Sequence, residues 1–175
     1  MLASQQQRAL ISAVQGSAPI TSLNGNLVVP ALYTDYLPSE LMGMPRDFFA
    51  YGVDFLNIAL GGGTGTEVFT VQNDSDFLIV QVNAVVVDPT AEEVERPGSA
   101  LTIAFTDSGS GRQLQNRAMG FNNVVGTAQL PSYFPFPKFV DRASDFSTTI
   151  VNNGTAEAVR VRLSFLGFKI FSFTG

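Results

Sequence analysis

One glycine-rich run in the chain could cradle a phosphate, Gly61–Gly65. Phosphate loops bind through backbone N–H groups at the start of a helix and carry a Lys followed by a Ser or Thr. No such pair follows this run at the required spacing, and the residues after it are typical of a strand. We therefore interpret the run as a flexible loop between strands.

Two acidic segments could bind a metal or hydrolyse a glycosidic bond. Asp74 and Asp76 could offer oxygen ligands to Ca²⁺, but the Gly and the distal Glu of an EF-hand loop are missing. Glu92, Glu93 and Glu95 could pair as glycosidase carboxylates, although three acids in one polar loop are more typical of a solvated loop. We expect a polar turn at the first segment and a solvated loop at the second.

The sequence contains neither His nor Cys. A Ser-His-Asp triad, a thiolate nucleophile and the usual zinc, copper and haem ligands are therefore excluded. Serine is plentiful, but it has no His to activate it. We expect a protein that is not an enzyme and that uses no metal and no cofactor.

The clearest structural signal is the C-terminal run Glu157–Phe173. Apolar residues alternate there with Arg160, Arg162 and Ser164, which puts the apolar side chains on one face of a strand. Gly167 predicts a bulge or a bend, with a change of face after it. A strand with one apolar face requires a sheet and a second layer to cover it.

Upstream segments supply further strands. Asn152-Asn153-Gly154 is predicted as a hairpin turn, and residues 127–144, with three prolines, as a long crossover. Short strands joined partly by long connections predict an all-β fold, an antiparallel β-sandwich of the jelly-roll or Greek-key type. An immunoglobulin-like sandwich is the alternative, but its marker Cys and Trp are absent. Phe48–Leu60 is predicted as a strand pair or as one long bent strand. The other upstream strands are predicted at Thr66–Gln72, Asp76–Val87, Ala100–Thr106, Arg112–Leu114, Met119–Val125 and around Phe146, Thr148 and Ile150.

Residues 1–45 differ from the rest of the chain. Residues 4–15 predict a short helix, and residues 17–45 predict an extended arm that is broken by prolines yet rich in apolar side chains. We therefore predict a helix and arm over 1–45 and a β-sandwich domain over 46–175. Such an arm needs a groove, in its own chain or in a neighbour. The predicted protein-interface residues are Leu10, Ile11, Val14, Leu27, Val29, Leu32, Tyr33 and Tyr36.

The composition indicates which partners to expect. A mean hydropathy of +0.19 with 15 Phe implies apolar surface that is covered by a large core or by neighbouring subunits, so we expect a homo-oligomer, a dimer or a trimer. A net charge of −5 argues against nucleic-acid binding. No apolar run reaches the length of a membrane helix, and the N-terminus is unlike a signal peptide, so no membrane partner is expected.

Three segments together resemble one family: Asn73–Leu78, Leu101–Arg112 and Val159–Lys169. With the N-terminal helix and arm, they are similar to capsid cement or decoration proteins of tailed bacteriophages, which have a jelly-roll-like fold. The likeness covers residues 48–173 and is one of architecture. It implies an oligomer on the capsid exterior, made in the host cytoplasm, that binds the major capsid protein and stabilises the head without catalytic residues. The alternative is a carbohydrate- or receptor-binding β-sandwich module of a phage tail or fibre.

Overall fold

The computed structural model describes residues 44–127, 130 and 132–171. Within these residues the regular structure is β-strand, apart from two short 3₁₀ turns at Gly98–Ala100 and Phe121–Asn123. The predicted N-terminal helix and arm lie outside them, except for the last two residues of the arm. The strands are β1 (Arg46–Ile58), β2 (Gly63–Thr70), β3 (Asp76–Val87), β4 (Leu101–Asp107), β5 (Arg112–Gln113), β6 (Met119–Gly120), β7 (Ser132–Val140), β8 (Asp145–Asn152) and β9 (Val159–Ile170).

Two antiparallel sheets form a jelly roll. One sheet has the strand order β1-β9-β3-β7, and the other has the order β2-β8-β4-β5, with the short β6 also paired to β4. The first strand thus pairs with the last, β2 with β8, β3 with β7 and β4 with β5, as in one long antiparallel ribbon rolled into two layers. The prediction of an all-β antiparallel sandwich of the jelly-roll type is confirmed.

Phenylalanine rings fill the space between the sheets. The Phe165 ring of β9 lies 5.2 Å from the Phe69 ring, 5.4 Å from the Phe146 ring and 5.7 Å from the Phe105 ring, measured between ring centroids. Rings at these distances and angles stabilise a core beyond the area that they bury. With no Trp in the chain, Phe supplies the large aromatic surface that the core requires.

The irregularity predicted at Gly167 lies in the neighbouring strand. Ile79 of β3 pairs with Gly167, and Gln81 pairs with the residue before Gly167, so Val80 is the extra, bulged residue. The inward phase of β3 changes there, whereas β9 keeps one phase throughout. The prediction of a bulge or a change of face within β9 was wrong, because the glycine leaves room for the backbone of β3 and the bulge forms on that side.

Three connections differ from their predictions. Residues 127–144 contain β7 rather than only a crossover, because prolines are tolerated on a strand at a sheet edge. The Asn152–Gly154 turn is not a hairpin, since β8 and β9 lie in different sheets. Within Met119–Val125 only the first two residues are strand, and the 3₁₀ turn follows them.

No helix among the described residues is long and apolar enough to span a membrane. The division of the chain at residues 45 and 46 stays a prediction. Met44 and Pro45, the first described residues, already contact the sandwich: the N–H of Phe171 donates to the carbonyl of Pro45 at 3.1 Å.

Candidate functional site

The glycine-rich loop between β1 and β2 cannot cradle an anion with its first two amides. The N–H of Gly61 donates to the carbonyl of Gly154 at 2.6 Å, and the N–H of Gly62 donates to the carbonyl of Asn152 at 2.7 Å. Both glycines have positive φ, +72° and +95°. The glycines therefore make a turn that fastens this loop to the end of β8, as the interpretation of a loop between strands requires.

The acids before β3 are engaged by cations of the same chain. Asp76 is buried, and its carboxylate accepts the backbone N–H of Arg142 at 2.9 Å and the guanidinium of Arg142 at 3.3 Å. Asp74 lies 3.9 Å from Nζ of the buried Lys169. No group of three acidic ligands that could hold a metal ion occurs in the described part of the chain. The segment is an ion-paired turn.

Glu92 belongs to a cluster on the outer face of the four-stranded sheet, which we call the Arg-acid cluster: Asp54, Glu92, Arg160 and Arg162. Nε of Arg160 donates to Asp54 at 2.9 Å, Nε of Arg162 lies 3.7 Å from Asp54, and both guanidinium groups contact Glu92. Two positive and two negative groups balance. Glu92 is thus paired with arginines and not with a second carboxylate, unlike a glycosidase acid.

The Arg-acid cluster lowers the pKa of both carboxyl groups. The hydrogen bond from Arg160 lowers the pKa of Asp54, and the hydrogen bond from Arg162 lowers the pKa of Glu92. The same contacts raise the pKa of Arg160. Both carboxyl groups are therefore charged at neutral pH, and the role of the cluster is to fix the loop that carries Glu92 against β1 and β9.

A second set of contacts closes the same loop. Asp88 accepts hydrogen bonds from the N–H of Thr90 at 2.8 Å, from the N–H of Ala91 at 3.2 Å and from Arg96 at 2.6 Å. The bond from Arg96 is the main reason that the pKa of Asp88 lies well below its usual range. Arg96 also pairs with Glu157 at 2.7 Å, so residues 88–96 are tied to the loop before β9.

The other end of this outer face is apolar. Leu78, Val80, Phe168 and Ile170 form a cluster apart from the main core, which we call the outer apolar cluster. Met44 and Phe139 pack against it, and the exposed Phe48 ring contacts Phe168 edge to face at 6.4 Å. The four members of this cluster are themselves buried, whereas the Phe48 ring beside them is exposed. Large exposed apolar side chains mark candidate contact surfaces, so Phe48 is the residue at this end that can meet a partner.

A cleft of about 570 Å³ opens between β7 and the β5–β6 edge of the other sheet. Its walls are mainly apolar, and Met119 and Tyr133 are exposed at its rim. Lys138 also lines it, and Nζ of Lys138 lies 2.5 Å from the buried Asp107. Burial opposes ionisation of Asp107, but its bonds to Lys138 and Ser110 lower its pKa overall. Among the described residues that line the cleft, Lys138 is the one cation, and its charge is neutralised by Asp107.

The eight interface residues predicted on the N-terminal helix and arm, from Leu10 to Tyr36, lie outside the described residues. Sequence reasoning missed the exposed apolar side chains of the sandwich itself. Phe48 and Leu56 of β1 are 58% and 64% exposed. The alternation on β1 contained the signal, because Phe49 and Tyr51 point inward and Phe48 must then point outward.

The sequence matches no protein-family model and no curated protein. Among solved structures, the chain is similar to the protein in the crystal structure of an infectious bursal disease virus VP2 subviral particle. The TM-score is 0.39, the sequence identity is 14%, and the matched region covers 72% of this chain and 33% of that one. The chain thus spans about a third of the length of that protein.

Proposed function

We propose that this chain is a non-enzymatic structural protein of a virion, a capsid cement or decoration protein. In this proposal it forms a homo-oligomer, is made in the host cytoplasm and binds the major capsid protein on the capsid exterior, where it stabilises the head. No catalytic step and no cofactor is part of the role.

The observation that carries the proposal is the amount of apolar surface on the sandwich. Scattered exposed apolar residues are ordinary in a soluble protein, but large side chains near one another on a face mark a contact surface. Phe48 lies beside the outer apolar cluster, and Met119 and Tyr133 flank the cleft. The large apolar side chains that are at least 40% exposed are Phe48, Leu56, Leu60, Val68, Val85, Val94, Met119, Leu130 and Tyr133.

The polar groups support a contact role as well. In the described residues, three of the acids that could have carried chemistry are engaged by arginines or lysines: Asp76 by Arg142, Asp107 by Lys138 and Glu92 by Arg160 and Arg162. Groups held in ion pairs position loops and strands and are not free to transfer protons. Jelly rolls serve both viral capsid domains and lectins, so the fold is compatible with the resemblance and also with its alternative.

The arm provides the test. Deleting residues 1–43 keeps Met44 in the outer apolar cluster and Pro45 in its hydrogen bond to Phe171, which deletion of all 45 residues would remove. We expect the shortened chain to keep the circular dichroism spectrum of a folded β-sandwich and to lose its retention on capsids that were purified without this protein. Retention is measured by co-sedimentation, beside the full chain.

Two results would reject the proposed role of the arm. If the shortened chain does not fold, residues 1–43 belong to the core. If it folds and is retained as well as the full chain, the arm does not make the capsid contact. Failure of the full chain to bind capsids would reject the virion role itself.

The exposed Tyr133 at the mouth of the cleft favours a second candidate, a carbohydrate- or receptor-binding module. Sugars stack on exposed aromatic rings, and Tyr133 is 56% exposed beside an open, mainly apolar cleft. Binding of the isolated chain to a glycan array, lost in Tyr133→Ala and retained in Phe48→Ala, together with no binding to capsids, would place this candidate first.

A further inference from the structure

The free edge of β1 is the best site for a second copy of this chain. β1 lies at one end of its sheet and pairs only with β9 in the described structure. An edge strand presents unpaired N–H and C=O groups to any strand that can approach, and proteins usually protect such edges. From Arg46 to Phe55 the pairing with β9 is regular, and the register shift comes only after Phe55.

The other sheet edges are shorter than β1 or interrupted. β7 contains Pro135 and Pro137 and is interrupted in its pairing with β3. β5 is only two residues long, and β2 carries two glycines and Glu67. The regular part of β1 carries three charged residues and one glycine, but it has no Pro and no Lys, and it exposes Phe48 at its outer face. A long, regular edge strand of this kind can pair with another strand.

The sequence of β1 is complementary to itself in one antiparallel register. If a two-fold axis passes beside Ala50, the Arg46 side chain of one protomer lies opposite the partner's Asp54. Phe48 then lies opposite the partner's Gly52, and Ala50 lies opposite the partner's Ala50. In antiparallel pairs, opposite charges directly across stabilise the pair, and an aromatic ring covers the backbone of a facing glycine.

The five side chains in this register share the outer face of the sheet, because each pairs with an outward residue of β9. Ala50 and Gly52 are exposed and small, so two strands can approach at the axis without a clash. Shifting the axis by one residue toward the C-terminus would place Phe48 opposite the partner's Asp54 and Arg46 opposite the partner's Leu56. Asp54 already accepts hydrogen bonds from Arg160, and Arg46 also interacts within its own chain, but a carboxylate has lone pairs for further donors.

We propose that two copies of the chain pair their β1 edges antiparallel about Ala50 and join their four-stranded sheets into one continuous sheet. This specifies the contact of the homo-oligomer in the proposed function and rests on that self-association. It does not depend on the capsid role.

The absence of Cys from the sequence allows a direct test. In the proposed register the two Ala50 Cα atoms lie about 4.5–5.5 Å apart, within the range that a disulfide spans. Mild oxidation of the A50C variant should therefore give a covalent dimer. L56C is the matched control, since Leu56 is exposed on the same strand, within the register shift, and in the proposed register it lies far from its own copy. It should stay monomeric on a non-reducing gel.

A charge at the axis provides a second readout. A50K should weaken self-association about tenfold or more in sedimentation at micromolar concentration, because like charges meet across the two-fold axis. L56K should not weaken it. Both variants are first compared with the wild type by circular dichroism and thermal melting, which separates misfolding from loss of contact.

The outcomes separate this proposal from the virion role. A wild-type chain that sediments only as a monomer overturns the pairing and the homo-oligomer together. An oligomer in which A50C does not cross-link, or in which A50K has no effect, overturns the pairing and assigns self-association to another surface. An A50C dimer that capsids do not retain supports the pairing and counts against the virion role.

Discussion

The pairing of β9 with β3 depends most closely on Gly167. A Cβ at this position would lie 1.9 Å from the carbonyl oxygen of Leu78, 2.8 Å from its carbonyl carbon and 3.1 Å from Cα of Ile79. Contacts under 3.0 Å essentially do not occur for Cβ atoms, so one strand would have to move by about 1 Å. The atoms in the way are backbone, and no side-chain rotation can relieve the clash.

We therefore expect Gly167→Ala to lower the free energy of unfolding by about 3 kcal/mol. Overpacking a rigid site costs about 1–3 kcal/mol, and each weakened backbone hydrogen bond between β3 and β9 adds about 1 kcal/mol. At about 2–4 °C per kcal/mol for a chain of this size, the thermal midpoint should fall by about 6–12 °C. Urea unfolding, followed by circular dichroism at submicromolar concentration, measures the change without a contribution from self-association.

Gly52→Ala is the matched control on the adjacent strand. There the nearest atom to an added Cβ is the carbonyl oxygen of Leu163 at 3.8 Å, an ordinary contact. Because alanine costs less conformational entropy than glycine in a strand, the control should be neutral or stabilising by about 0.5–1 kcal/mol. If Gly167→Ala is as stable as Gly52→Ala, the close approach of β3 to β9 is not a property of the protein.

Three further predictions concern single polar groups. Thr148→Val should stabilise the fold by about 1 kcal/mol in urea unfolding, because the buried Thr148 hydroxyl has no hydrogen-bond partner among the described residues. Thr149→Val, which loses a bond to Thr66 at 3.0 Å, should not stabilise it. Asn152→Ala should lower the free energy of unfolding by about 3 kcal/mol, since the buried Asn152 amide group bonds the carbonyls of Ile58 and Glu157 and the N–H of Gly154. Asn153→Ala, on the exposed side of the turn, should lower it by less than about 0.5 kcal/mol. Because the pKa of Asp54 is lowered in the folded state, its contribution to stability is complete above its ordinary pKa of 3.8 and is lost as the pH falls through the lowered value. Arg160→Met should therefore reduce the loss of thermal stability that is measured between neutral and acid pH. An unchanged dependence of the melting temperature on pH would contradict this.

The strands with clean alternation were predictable from the sequence. In β4 and in β9, inward apolar residues alternate with outward polar ones, and the burial follows that pattern residue by residue up to Gly167. β3 was predicted over Asp76–Val87, the range that it has in the structure. Periodicity of two is a local property that does not depend on which strand becomes the neighbour.

The predictions that failed concern features that depend on where a segment lies in the folded protein. Pro135 and Pro137 were interpreted as breaks in regular structure, but they lie on an edge strand. The outer side of an edge strand forms no backbone hydrogen bonds with another strand, so proline is tolerated there. The Asn153-Gly154 signal reports a turn and says nothing about the sheet that the next strand joins. The bulge at Val80 could not be predicted, because it results from the approach of β3 to Gly167 across the sheet.

The candidate surfaces were predictable only in part. The arm residues chosen from composition lie outside the described part of the chain, so their role stays a prediction. The ion pairs of Asp76, Glu92 and Asp107 join residues far apart in sequence and follow from the jelly-roll pairing. Phe48 could have been found by extending the alternation of β1 to its outward phase.

The place of β9 in its sheet determines the order in which the protein can acquire its structure. β9 leaves the ribosome after the other eight strands of the described residues, yet it lies between β1 and β3. Until β9 is available, no strand joins β1 to β3, and apolar side chains of both strands stay exposed to aggregation in the nascent chain. Closure of the sheet requires β9 and brings segments together that are distant in sequence, which makes folding slow. Premature termination before Val159 would thus remove the strand that joins β1 to β3 and yield a chain that cannot form this sheet.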